Sequence, residues 1–99
     1  MVALYAHTQT ITEAIRDRRV LRFVYSGKIR TAEPHAFGYD RDGDLTLSAW
    51  LLTGTKPGGW RDFHVAKLTG LTITDARFER PRSGYNPNDS TLERIVCRL

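Results

Sequence analysis

The sequence predicts a mainly β domain: a small five-stranded antiparallel barrel with a short helix before it and a short helix after it. Three observations point there. Residues 20–78 are a succession of runs dense in β-branched and aromatic residues, divided by turn-rich breaks. No second helical rhythm interrupts those runs, so neighbouring strands pair antiparallel. A chain of 99 residues makes one domain, in which five short strands lose their exposed edges best by curling up. The expected organisation is a single domain over 1–99, with a helix at 8–19, a barrel at 20–78 and a tail at 79–99.

Residues 1–7 read as an unpatterned lead-in. In TQTITEAIRDRR, Ile11, Ala14, Ile15 and Arg18 fall at i, i+3, i+4 and i+7. Thr10 followed by Glu13 is a capping-box pattern that starts the helix at Ile11. The stripe is narrow, as suits a short helix across the mouth of a sheet, with Arg16, Asp17 and Arg19 facing water. VLRFVYS is the first strand, ended by a tight turn at Ser26-Gly27-Lys28. IRTAEPHAFGYD follows, and Pro34, which cannot donate to a ladder, marks an edge or a bulge. DRDGD is a polar hairpin tip in which Gly43 is free to take positive φ.

LTLSAWLLT alternates, with Leu45, Leu47, Ala49 and Leu51 on one face and Thr46, Ser48, Trp50 and Leu52 on the other. After the loop GTKPGG come two more strands, WRDFHVAKL and LTGLTITDARF, divided near Thr69-Gly70. PRSGYNPND is turn-rich. Ser90 and Glu93 repeat the capping pattern ahead of LERIVCRL, where Leu92, Ile95, Val96 and Leu99 share a helical stripe. A short C-terminal helix is therefore preferred to a sixth strand.

Composition narrows the function. The chain is 40% hydrophobic, which rules out wholesale disorder. No apolar run approaches the roughly 20 residues of a membrane span. The opening residues show no charged leader before a hydrophobic stretch, so no secretory signal is expected. One cysteine, Cys97, excludes an internal disulfide framework and suits a reducing, cytoplasmic setting. Fifteen Lys and Arg against eleven Asp and Glu give a net charge of +4, and most of the cations are arginine. Arginine grips phosphate or carboxylate with a planar fork, so the excess suits an anionic partner.

Several patterns lead nowhere. Asp40, Asp42 and Asp44 around Gly43 resemble a calcium loop, but the positions that require glycine and a bidentate glutamate hold Leu45 and Leu51. GTKPGG places its lysine ahead of its glycines with no helix after it, unlike a phosphate loop. Asn88-Asp89-Ser90 matches a glycosylation sequon by chance. His7, His35, His64 and Cys97 are too widely spaced for a structural zinc site, and Cys97 beside Val96 reads as a buried inert thiol. No nucleophile–base arrangement and no facing pair of carboxylates stands out. Neither an enzyme nor a metal or other cofactor is expected.

The stretch 20–89 resembles a WYL domain, a bacterial module named for a Trp-Tyr-Leu motif. VLRFVYSGKIRTAEP is similar to that family's opening: an apolar-aromatic strand, a Tyr before a small turn, then Arg, and Pro four residues later. FGYDRDGDLTLSAW resembles its next hairpin, WRDFHVAKLTGLTI its Arg-x-Phe strand, and FERPRSGYNPND the tail of many short members. Two departures stand: Trp50 is followed by Leu51-Leu52 rather than Tyr-Leu, and Lys67 occupies a position usually held by arginine. No helix-turn-helix domain, which family members commonly carry, precedes the match. The resemblance implies an SH3/Sm-like barrel that binds a nucleotide or single-stranded nucleic acid in a basic and aromatic groove, as a sensor in transcriptional regulators or phage defence.

The residues point the same way. Arg30, Arg61, Lys67 and His35 bring cations from adjacent strands. Trp50 interrupts an otherwise polar strand face, a natural platform for stacking a base. Tyr25 adds a ring with a hydrogen-bonding tip. The expected ligand-binding set is Tyr25, Arg30, His35, Trp50, Arg61 and Lys67, with the arginines and the Trp50 indole sharing one hollow. The competing reading is a protein-interaction or oligomerisation module, a homodimer or a regulator's partner, docking through strand edges and the apolar tail.

Overall fold

The computed structural model describes residues 2–54, 56–88 and 91–99, with side chains from Leu4 onward. One helix, α1 (Val2–Asp17), precedes strands β1 (Arg19–Tyr25), β2 (Lys28–Asp40), β3 (Leu45–Leu51) and β4 (Trp60–His64). A single 3-10 turn (Val65–Lys67) leads into β5 (Thr69–Arg77), and β6 (Leu92–Arg98) ends the chain. All pairings are antiparallel, in the order β4-β3-β2-β1-β5, with β6 paired to β2 off that path.

The hairpin between β1 and β2 turns on Ser26 and Gly27, at φ 52° and 75°. Two successive positive φ values define the turn whose twist matches paired strands. From there β2 serves three partners: β1 along residues 28–32, β3 along 32–39 and β6 along 36–40. Pro34 sits where β1 has left and β6 has not begun, beside a register shift between Pro34 and Ala36. It is a bulge, as the missing N–H demands. Four residues on, β6 crosses so close that a Cβ on Gly38 would fall 2.1 Å from the Arg94 carbonyl oxygen.

Three expectations fail. The sheet has six strands and stays open. β4 bends away at His64 into the 3-10 turn, while β5 pairs with β1, so the two end strands never meet. The helix takes over the job of closure: Ile11, Ala14 and Ile15 are buried in the core with Phe23, Phe37, Leu47 and Phe63.

The C-terminal helix is a strand instead. Half-buried Ile95, Cys97 and Leu99 alternate with exposed Arg94, Val96 and Arg98, a period of two that the helical stripe concealed. A seven-residue helix is marginal alone, whereas the free side of β2 beyond Pro34 offers a ladder that pairs five residues of the segment. Ser90, the expected cap, and two of the three sequon residues lie outside the described residues. The first helix also begins at Val2 rather than Ile11, and Thr10 lies inside it, its hydroxyl donating to the Ala6 carbonyl.

Among the described residues, no helix is long and apolar enough to cross a membrane.

Candidate ligand-binding site

Arg30 and Arg61 border one hollow of about 230 Å³, with Lys28, Lys56, Leu51 and Gly54. Strand register explains the meeting. Arg30 lies opposite Phe23, so it projects to the core side at the sheet's end. Its guanidinium sits 5.9 Å from the ring centres of both Tyr25 and Phe63, and Nη2 donates to the Tyr25 carbonyl at 3.4 Å. Its Nε is buried with no acceptor. Arg61, opposite Ala49 on β4, donates from Nη1 to the Trp60 carbonyl at 2.9 Å and from Nη2 to the Lys56 carbonyl at 3.2 Å. Among the described residues, the hollow is lined by four cations and no carboxylate. Carbonyls hold the guanidiniums in place without neutralising them, so the positive potential is left for an anion.

Tyr25 belongs here as a support. It packs edge-on to Phe63 at 5.0 Å, and its hydroxyl oxygen accepts from the His64 N–H at 3.2 Å.

Trp50 does not join the arginines. It lies opposite Glu33 and Trp60 on the other face of the sheet, edge-on to Trp60 at 5.6 Å. The strap formed by residues 78–86 folds back over that face. Its Arg82 guanidinium stands 5.3 Å from the Trp50 ring centre and donates to both carboxylate oxygens of buried Glu33, at 2.7 and 3.0 Å. The expected stacking platform carries the protein's own cation.

His35 does not border that hollow and is 0% exposed. Nδ1 donates to the Glu33 carbonyl at 2.8 Å, and Nε2 accepts from the Arg82 N–H at 3.0 Å. Phe78 stacks on the imidazole, and Trp60 and Tyr85 close around it. Burial pushes its pKa below the ordinary 6.5.

Lys67 is exposed in the 3-10 turn and borders a different hollow, with Leu4, Tyr5, Tyr39 and His64. Nearby, Asp40, Asp44 and His64 bring one potential ligand atom each within 4.8 Å of one another. Asp40 is occupied in stapling the hairpin tip: Oδ1 accepts from the Asp42 and Asp44 N–H groups, and Oδ2 from the Thr46 hydroxyl. Those bonds hold its carboxyl below the usual range.

Of the residues expected to bind, the structure brings Arg30 and Arg61 together with Tyr25 beneath them, and beside them it places Lys28 and Lys56, which read from sequence as turn and loop residues. Sequence reasoning also misses the partners on the second face. A buried acid within the apolar run AEPHAF was the available signal, since such an acid has to find a cation.

No family model and no curated protein matches the chain. Among solved structures it is similar to proteasome accessory factor B/C (PafBC) of Arthrobacter aurescens, with a TM-score of 0.68 and 21% identity. The match covers 83% of this chain but only 13% of that one. PafBC contains a WYL domain, and the likeness supports a WYL-like fold for this chain.

Proposed function

We propose that the chain is a non-enzymatic regulatory module that senses a nucleotide or single-stranded nucleic acid, acting in transcriptional regulation or phage defence in the cytoplasm. The observation that carries this reading is the hollow of Lys28, Arg30, Lys56 and Arg61, four cations with no carboxylate among the described residues that line it. The Arg30 and Arg61 guanidiniums, held by carbonyls rather than carboxylates, keep their charge for an oxyanion. The WYL-like fold shared with PafBC fits a regulatory role.

Fluorescence anisotropy with short labelled DNA and RNA tests it. Four cations meeting a single strand give a log–log salt slope of about −3, so affinity drops about 50-fold between about 50 and about 200 mM salt. Arg61→Ala weakens binding and flattens that slope. Salt-independent titrations, or none up to high micromolar protein, would end this reading.

An assembly module is the second reading, favoured by the outer edges of β4 and β5, which no strand pairs among the described residues, and by Ile29, which is 69% exposed. Light scattering at high concentration tests it, and a strict monomer removes self-pairing.

A further inference from the structure

On the far side of β4 from the cationic hollow lies a second one, of about 270 Å³, and Arg61 borders both. We infer that this second hollow is a base pocket selective for guanine, with Arg61 joining the ring to a phosphate held in the first. The inference rests on the nucleotide reading above and adds which base is taken and by which residues.

The volume suits a ring rather than a whole ligand. About 150 Å³ is enough to take benzene, and sites that engulf a drug-sized molecule start at about 300 Å³. The walls are aromatic. Trp60 and Tyr85 are inclined at 29° with centres 6.3 Å apart. Each ring is fixed by its polar tip: Trp60 Nε1 donates to the Ser83 carbonyl at 3.0 Å, and the Tyr85 hydroxyl to the Leu99 carbonyl at 3.3 Å. Rings held this way offer stacking surface with little entropy left to lose.

The polar lining selects among bases. Asp62, Ser48 and Asn86 border the hollow. An ionised carboxylate only accepts, at about four lone-pair positions, so a partner within the protein leaves room for more donors. Guanine alone presents two adjacent donors, N1–H and the N2 amino group, along one edge, matching the two oxygens of Asp62. Adenine and cytosine set one amino group beside an acceptor, and uracil flanks its single N–H with carbonyls. Arg61 spends Nη1 and Nη2 on the Trp60 and Lys56 carbonyls. Its remaining N–H groups are left for a phosphate at the open edge of β4, the terminal strand on that side.

Calorimetry with the four ribonucleoside monophosphates and inorganic pyrophosphate tests this, alongside competition between an oligothymidine and the same strand carrying one guanine. Guanosine monophosphate, or the guanine-bearing strand, binds about tenfold tighter than its rivals. Asp62→Asn abolishes that preference while pyrophosphate still binds, no more weakly than to wild type, and Lys56→Ala weakens every probe. A circular dichroism melt confirms that both variants stay folded. If all bases bind alike, or Asp62→Asn leaves the preference intact, the base pocket is wrong while the cationic hollow stands. If pyrophosphate, nucleotides and oligonucleotides all fail to bind, the nucleotide reading falls with it.

Discussion

The main-chain N–H of Arg82 donates to Nε2 of His35 at 3.0 Å, so a surface strap is fastened to a fully buried imidazole. The same Arg82 reaches past it to clasp Glu33 through two bonds. One strap residue thus answers two buried polar groups that β2 carries two positions apart, and the partnership also raises the pKa of the guanidinium.

Removing that arginine leaves a buried carboxylate alone. Arg82→Ala costs about 2–4 kcal/mol by urea unfolding, between the values for an orphaned buried group and a broken buried pair. Arg82→Lys recovers less than half, because one ammonium cannot reproduce a two-pronged contact. A loss below about 1 kcal/mol would show that the half-exposed arginine behaves as an ordinary surface ion pair.

Acid should loosen the strap. Nε2 of His35 accepts a hydrogen bond, so the folded state favours the neutral ring and its pKa lies below 6.5. The unfolded chain takes up the proton first as pH falls, so stability is complete above about pH 6.5 and declines below it. Urea midpoints measured from about pH 7.5 down to about pH 5 check this. His35→Phe should remove the fall in that window, and a midpoint independent of pH in the wild type would refute the assignment.

Gly38 and Gly43 should respond differently to alanine. A Cβ at Gly38 meets the Arg94 backbone at 2.1 Å, whereas nothing lies within 4 Å of one at Gly43, whose φ is +82°. Gly38→Ala therefore has to push β6 off β2, at a cost above about 3 kcal/mol. Gly43→Ala pays only backbone strain, about 1 kcal/mol. Thermal melts separate the two, and limited proteolysis of Gly38→Ala should cut within residues 92–98 first.

The two lysines of the hollow act as charges alone. Replacing both Lys28 and Lys56 by alanine lowers the salt slope for single-stranded oligonucleotides by about 1.4. Both are exposed, so the melting temperature stays within about 2 °C of wild type. An unchanged slope would place the ligand elsewhere.

How much of this was legible depends on how far each feature reaches. Strands β1 to β5 follow from local alternation, and the turn at Ser26-Gly27 from its residue types. The segment 92–98 was not legible, because seven residues can satisfy periods of two and 3.6 together and only the vacant side of β2 decides between them. Thr10 and Glu13 imitate a cap because nothing local reveals that the preceding turns are also helical. Arg30 and Arg61 were readable as cations, yet their company was not, since Lys28 and Lys56 arrive from a turn and a loop. Trp50 misled because a half-polar strand face looks solvent-bound until a segment nearly thirty residues further on lies down across it. The aromatic residues spaced through the turn-rich FERPRSGYN were the hint.

The three-way role of β2 also orders events in time. Its second half keeps one flank vacant until residues 92–98, which follow β1 and β3 in the chain, pair with it. A nascent chain halted anywhere before that point exposes a sticky flank beside a glycine, and a chaperone or a neighbouring chain on the same message could engage it there.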